Sequence, residues 1–293
     1  MEPVIVLPGE GEVITEREGR SIRIKGSHEL VDVTETRYET GEAGPDLHEH
    51  REHADAFYVL EGELEFRLGP QGSRVVKGGP GTLMLVPAGL IHAFRNESGA
   101  TARFLNIHAP SKGFAESLRV RRDQLPYDPG QFDSFDAPVD GSRDVSSAVV
   151  RGPGEGDTIT IGGSSALFKA ETGDGDGTFS LTETTLEPGF PGPVPHIHER
   201  LLDSFYVLEG TLTVRLGDET VEAPAGSFAF VPPGHVHTFS NPTGERVRML
   251  NLMAPAGFEQ YLKEMAASLP AGGGPPDPAL MAQIASGYDF RPA

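Results

Sequence analysis

His48, His50 and Asp55 belong to the phrase HEHREHADAFYVLEG at residues 48–62, and His196, His198 and Asp203 to HIHERLLDSFYVLEG at residues 196–210. Side chains two apart on a strand project from one face, so each His-x-His pair is a two-toothed clamp for a metal ion. Downstream, His92 and His237 occupy matching frames, GTLMLVPAGLIHAFRN (81–96) and GSFAFVPPGHVHTFSN (226–241). Three imidazoles with one carboxylate suit Fe, Mn, Ni, Co or Zn and leave at least one position open for water or substrate. A lone His-x-His pair fits a surface or structural strand position better than a metal site, since alternating polar residues on a strand are commonplace. Repetition alters that balance, because six of the ten histidines fall into two identical constellations with the same third histidine. The chain has no cysteine, so thiolate sites and disulfides are excluded and any metal must be held by imidazole and carboxylate.

These residues sit in a longer duplication. GEGEVIT (9–15) faces GEGDTIT (154–160), TET (34–36) faces TET (182–184), and LNIHAP (105–110) faces LNLMAP (250–255). The offset is 148 residues across the His-x-His phrase and 145 beyond it, so one hairpin is three residues shorter in the second half. Short apolar runs bounded by Gly or Pro predict strands: SIRIKG, FYVLEG, LEFRLG, TLMLVP and ARFLNI, then ALFKA, FYVLEG, LTVRLG, SFAFVP and VRMLNL. Strands at this spacing predict an all-β sandwich or barrel in each half. KGFAESLRVRR and AGFEQYLKEMAASL predict a helix closing each unit, beginning near a Gly-Phe pair. Residues 124–150 carry turn formers without a sustained period and read as a linker. The expected organisation is a first barrel with capping helix at 1–123, a linker at 124–150, and a second barrel at 151–293. That second segment ends in a break, LPAGGGPPDP, and a short helix at 278–286.

Composition narrows the partners. With 43 acidic against 24 basic side chains the formal charge is −19, which repels phosphate backbones and anionic membrane surfaces. Nucleic acid is not an expected partner. The opening residues MEPVIVLPGEGE lack a basic segment and a long apolar run, so neither export nor membrane insertion is expected, and a cytoplasmic location is. A monomer or homodimer fits a chain that already pairs two barrels.

The paired blocks resemble the two motifs of the cupin superfamily. Its second motif, Gly, five residues, Pro-x-Gly, two residues, His, three residues, Asn, is met by Gly81, Pro87, Gly89, His92 and Asn96, and by Gly226, Pro232, Gly234, His237 and Asn241. Its first is met by His48, His50 and Gly62, and by His196, His198 and Gly210. The resemblance implies a bicupin, two tandem jelly-roll β-barrels with one divalent metal in each. In place of the family's usual Glu stand Asp55 and Asp203. Asp is one methylene shorter, roughly 1.5 Å of reach, so either it ligates directly or it acts through water beside a three-histidine site.

The run His-x-His, four residues, carboxylate, FYVLEG is similar to the quercetinase-like dioxygenase branch. That implies a metal-dependent oxygenase, Fe2+ the favoured cofactor, acting with O2 on a small enolisable or phenolic compound. Asp55 and Asp203 would take the substrate's proton. Two alternatives stand beside it: a metal-containing small-molecule-binding protein without turnover, and a non-redox isomerase. Phe57, Val59 and Phe94, with Phe205, Val207 and Phe239, share strand parity with the ligands and line the barrel interiors, either as core or as the wall of an apolar substrate pocket. His53 and His108 face Leu201 and Met253 in the second half, so they belong to solvent or a pocket wall rather than to a shared mechanism. His235 falls in a turn, and Asn96 and Asn241 are expected to close turns. GDGDG (173–177) and GEGE (9–12) lack the terminal Glu of a calcium loop and read as turns.

Overall fold

In the strand Leu64–Leu68, LEFRL, side chains are alternately buried and half-buried, the two-residue period of a sheet with one face on a core. The strand Ala54–Glu61 is buried at six consecutive positions because it lies inside a sheet and carries apolar neighbours on both faces. A computed structural model describes residues 1–138, 141–269 and 277–293. Its fold is all-β, as the sequence predicts, with a jelly-roll arrangement of two antiparallel sheets in each half. The chain divides into two compact units, one of Gly11–Glu155 with Gly173–Thr178, the other of Met1–Glu10, Gly156–Thr172 and Phe179–Ala293.

Among the described residues, the first unit has a seven-stranded and a five-stranded sheet. The larger runs Val149–Arg151, Leu83–Val86, Ala54–Glu61, Ala102–Ala109, Val31–Tyr38, Arg20–His28 and Glu12–Arg17. The smaller runs Phe135–Asp136, His48–Glu49, His92–Arg95, Leu64–Leu68 and Arg74–Gly78. Both sheets feed one apolar core, with Phe57 and Val59 from the larger meeting Phe66 and Phe94 from the smaller. The second unit repeats the plan, and Phe205 and Val207 meet Leu212 and Val214 in its core.

The units differ from the segments read in the sequence. Val4–Val6 pairs with Phe228–Val231 and so belongs to the second unit, while Val149–Arg151 pairs with Leu83–Val86 in the first. Each of these runs is followed by PGEG, at 8–11 and 153–156, whose turn residues release the run from the strand that comes next. The expected linker is also structured. Phe135–Asp136 pairs with His48–Glu49, and Phe132 is buried in a 3-10 turn, Pro129–Phe132. Two-residue strands lie below what sequence periodicity can register. The helices Phe114–Arg122 and Phe258–Ala267 start at the Gly-Phe pairs, and Pro278–Ala285 is the expected third. Most of the break before it, residues 270–276, lies outside the described residues. No helix among the described residues is long and apolar enough to cross a membrane.

Candidate metal centres

Pairing of His48–Glu49 with His92–Arg95 sets His48 opposite His92, and His196 stands opposite His237 in the same way. Directly opposed side chains on antiparallel strands lie about 5 Å apart. Asp55 and Asp203 come from the larger sheets, near the starts of Ala54–Glu61 and Leu202–Glu209. Ligand atoms of His48, His50, Asp55 and His92 lie within 4.8 Å of one another, all on buried residues, and so do those of His196, His198, Asp203 and His237. The eight expected ligand residues therefore gather into two groups. The motif glycine after each FYVLE run has a packing reason, since a Cβ at Gly62 (φ 71°) would fall 2.2 Å from the Thr101 carbonyl oxygen.

Hydrogen bonds fix how the imidazoles face. His48 Nδ1 donates to the Asp46 carbonyl (2.9 Å), His50 Nδ1 to that of Asp133 (2.7 Å) and His92 Nδ1 to that of Leu90 (3.0 Å). In the second unit His196 Nδ1 donates to Val194 (2.9 Å), His237 Nδ1 to His235 (3.0 Å) and His198 Nδ1 to Asp289. A carbonyl only accepts, so all six rings carry their proton on Nδ1 and turn an Nε2 lone pair inward. The Nε2 atoms of His50 and His198 are buried with no hydrogen-bond partner among the described residues. His92 Nε2 lies 3.1 Å from Asp55 Oδ2, and His237 Nε2 lies 3.3 Å from Asp203 Oδ2. Two acceptors that close require a positive charge between or beside them, and a cation would also satisfy the orphaned Nε2. The residues fit a divalent metal ion.

The shorter carboxylate still reaches. Asp55 Oδ2 is 3.9 Å from His50 Nε2, and Asp203 Oδ2 is 3.9 Å from His198 Nε2. Each Asp turns its other oxygen to an asparagine: Asn106 Nδ2 donates to Asp55 Oδ1, and Asn251 Nδ2 donates to Asp203 Oδ1 at 2.5 Å. Burial would raise the Asp55 carboxyl, but His108 and His92 outweigh it and hold it below the usual carboxylate range. Burial, reinforced by His92, pushes His48 down to about 3, and burial with neighbouring imidazoles carries His50 well below the usual range. Burial likewise lowers His196 to about 4 and lowers His198. For His237 burial is outweighed by its bond to Asp203, which leaves it raised. Neutral His48, His50, His196 and His198, and an ionised Asp55, are in the protonation states a metal needs.

The surroundings of the two groups diverge. His53 and His108 are buried, not solvent-facing, and form a chain. His53 Nδ1 donates to Asp133 Oδ2 (2.7 Å), His53 Nε2 meets His108 Nδ1 (2.8 Å), and His108 Nε2 lies 3.1 Å from Asn106 Oδ1 and 3.4 Å from Asp55 Oδ1. Burial pushes His108 down to about 3. His50, His53 and His108 also form a third buried cluster of ligand-type atoms. In the second unit Leu201 and Met253 pack with Phe258 and Tyr261, and Phe290 stacks on His196 at 4.4 Å.

Phe57, Val59 and Phe94, and Phe205 and Val207, lie in the packed cores, with Phe239 against the second. Phe205 comes within 6.4 Å of His237. Asn96 and Asn241 close turns as expected, each bonding backbone on both sides of a buried position. His235 contributes its carbonyl to His237, while its ring bonds the Met1 carbonyl. The GDGDG stretch forms a short 3-10 turn at Gly175–Gly177. Four supporting residues escaped the sequence reading: Asn106, Asn251, Asp133 and Asp289. The two asparagines were legible in principle, since both stand in the matched LN pairs of the duplication. The two aspartates lie in segments without a recognisable repeat.

A family model described as Cupin domain matches residues 34–108 and 182–253, together half of the chain. The chain is 24% identical over 295 residues to a quercetin 2,3-dioxygenase of Bacillus subtilis, covering 90% of this chain and 86% of that protein. Among solved structures it is similar to an oxalate decarboxylase of Lactobacillus farciminis in complex with formate, at 14% identity, with a TM-score of 0.62 and coverage of 90% and 91%. It is similar too to a putative glyoxylate-induced protein of Pseudomonas aeruginosa, at 18% identity, TM-score 0.60 and coverage of 86% and 87%. An oxalate decarboxylase of B. subtilis studied for its Mn(II) centres gives 17% identity, TM-score 0.58 and coverage of 88% and 78%.

Proposed function

The chain belongs to the cupin family, with one domain in each half, and we propose that it is a metal-dependent oxygenase of small enolisable or phenolic compounds. The observation that carries this reading is the meeting of Asp55 Oδ2 with His92 Nε2, and of Asp203 Oδ2 with His237 Nε2, two acceptors held against each other in each buried group. His48, His50 and His92 would hold a divalent ion in the first unit, and His196, His198 and His237 in the second, with Fe2+ the first choice. When bound, such an ion lowers the pKa of a hydroxyl that reaches it.

The chain's own residues supply the rest. The Asp55 carboxyl lies below the usual carboxylate range, so its Oδ2 would be ionised and able to take the proton of an enol or phenol. Asn106 anchors Oδ1 and keeps Oδ2 turned to the histidines. Apolar cores beneath both groups keep water from that side of the ligand atoms. Likeness to the quercetin 2,3-dioxygenase along most of both chains supports this substrate class over the carboxylates of the structural neighbours.

The test is turnover of flavonols and 1,3-diketones by metal-loaded protein in air and under nitrogen. Oxygen uptake matched to substrate loss is the expected result, and none at all would refute the oxygenase. Turnover that persists without oxygen would instead mark a non-redox isomerase. Tight retention of the compound without product would mark a binding protein.

A further inference from the structure

Each metal group is completed by a residue far from its motif. Asp133 and Asp289 stand 83 and 91 residues beyond the histidines they hold. The backbone carbonyl of each accepts the Nδ1 proton of the second histidine of its pair, His50 or His198. The carboxylate of the same residue ties down the loop that follows. Asp133 accepts from the backbone N–H of Arg51 (2.9 Å) and Glu52 (2.8 Å), and Asp289 from those of Glu199 and Arg200 (both 2.8 Å). Each then takes a third donor, the His53 ring at 2.7 Å or the Leu201 N–H at 2.9 Å. Two residues on, a short strand joins the histidine strand, Phe135–Asp136 on His48–Glu49 and Arg291–Pro292 on His196–Ile197.

The same set of bonds arises twice, from segments whose shared sequence is little more than an aromatic residue before Asp. We propose that Asp133 and Asp289 are positioning residues, each closing a clasp that selects the tautomer and the tilt of one imidazole so that its Nε2 faces the ion. A free neutral imidazole favours its proton on Nε2. The clasp carbonyl reverses that preference, and the carboxylate keeps the carbonyl in place by holding the loop on the other side of the ring. Residues that orient a ligand's far nitrogen govern metal affinity, and losing one typically costs about 10–100-fold.

This inference rests on the metal-centre reading, and its test separates the two. In metal-free full-length protein labelled with 15N at histidine, two-bond proton–nitrogen correlation reads the tautomer of each ring. Wild-type His50 and His198 are expected as the Nδ1–H form. In Asp289→Ala, His198 should become a mixture while His50 is unchanged, and in Asp133→Ala the reverse should hold. Co2+ titration, followed by ligand-field absorption, is then run in a His92→Ala background that leaves the second group alone. There Asp289→Ala should bind about 10–100-fold more weakly, and Asp289→Asn should recover part of the loss, since its amide oxygen still accepts an N–H. Unchanged tautomers and affinities would overturn the proposal, as would equal losses in both units, which mark general damage to the fold. Wild-type protein that takes up no Co2+ yet shows the local tautomer changes would sink the metal reading and leave the clasp standing. If Asp289→Ala does not fold, Asp289→Asn alone decides through the His198 tautomer.

Discussion

The first and second ligand groups share four residues, the carbonyls that hold their imidazoles, an asparagine behind each Asp and an aspartate holding the loop that follows, and they differ in the wall beyond. In the first unit the carboxylate side is backed by polar groups: His108 beside Asp55, His53 beside His108, Asp133 beside His53. In the second, Leu201, Met253 and Phe258 form one apolar cluster and Phe290 lies flat on His196. The difference teaches which part of such a centre is constrained. Nε2 and Oδ2 must converge, so the ligands, their carbonyl partners and the asparagine behind each Asp recur. The wall beyond them is free to change, and with it the protonation behaviour and the ligand each site admits.

The largest expected effect tests whether the two groups act separately. His92→Ala and His237→Ala should each remove one of the two ions the groups can hold and leave the other, as mass spectrometry of protein purified without chelator would read. Loss of both ions from either single variant would break the comparison at its base.

Acid should separate them next. His48, His50 and His108 have folded-state values below the unfolded value near 6.5, so the unfolded chain binds more protons once the pH drops below that value. Their contribution is complete above pH ~6.5 and is lost as the pH falls, toward about 3 for His48 and His108, on the order of a few kcal/mol for His48 alone. His196 and His198 behave likewise. His237, whose value is raised, contributes below the unfolded value and loses that contribution as the pH rises through its folded one. It thus offsets part of the acid loss in the second unit. Hydrogen exchange of metal-free protein at pH 7 and 4.5 should show Ala54–Glu61 losing more protection than Leu202–Glu209. Equal losses would mean that the polar surroundings of the first group do not set its acid response.

A third pair should show no difference. Asn96→Ala and Asn241→Ala each strip a buried turn of its side-chain bonds, at about 1–3 kcal/mol apiece. The cost should be similar in both units by thermal melting, with Co2+ affinity unmoved. A selective loss of metal would give these asparagines a part in the site that their geometry does not suggest.

Much of this was legible in the sequence because duplication displays it twice. The eight candidate ligand residues, the sheet-forming runs and the Gly-Phe helix starts all repeat, and repetition favours a metal clamp over an ordinary alternating strand. The pieces that escaped are those that repeat in space but not in letters. Asp133 and Asp289 act through backbone carbonyls and backbone N–H groups, which carry no side-chain signature, from segments that read as linker and tail. The exchange of Val4–Val6 and Val149–Arg151 between units was equally hidden, since three-residue strands obey tertiary pairing and not local propensity. For His53 and His108 the lack of a second-half counterpart argues against a shared role but says nothing about a role confined to one half, and burial removes the solvent alternative while leaving them in the wall of the first group.

That pair yields the smallest and sharpest test. His53→Leu alone would leave Asp133 Oδ2 short of a donor and His108 Nδ1 facing an alkyl group. His108→Met alone would strand His53 Nε2. Each single change should cost about 1–3 kcal/mol, because a buried polar group is left without its partner. The double variant rebuilds the Leu201 and Met253 pairing of the second unit in the first, removes both members of the broken bond together, and should cost less than the sum of the singles by about 1 kcal/mol. Chemical denaturation of the four proteins reads that coupling. Strict additivity would show that the two imidazoles do not act as one chain. The contrast between the units would then reduce to the packing of Phe290 on His196.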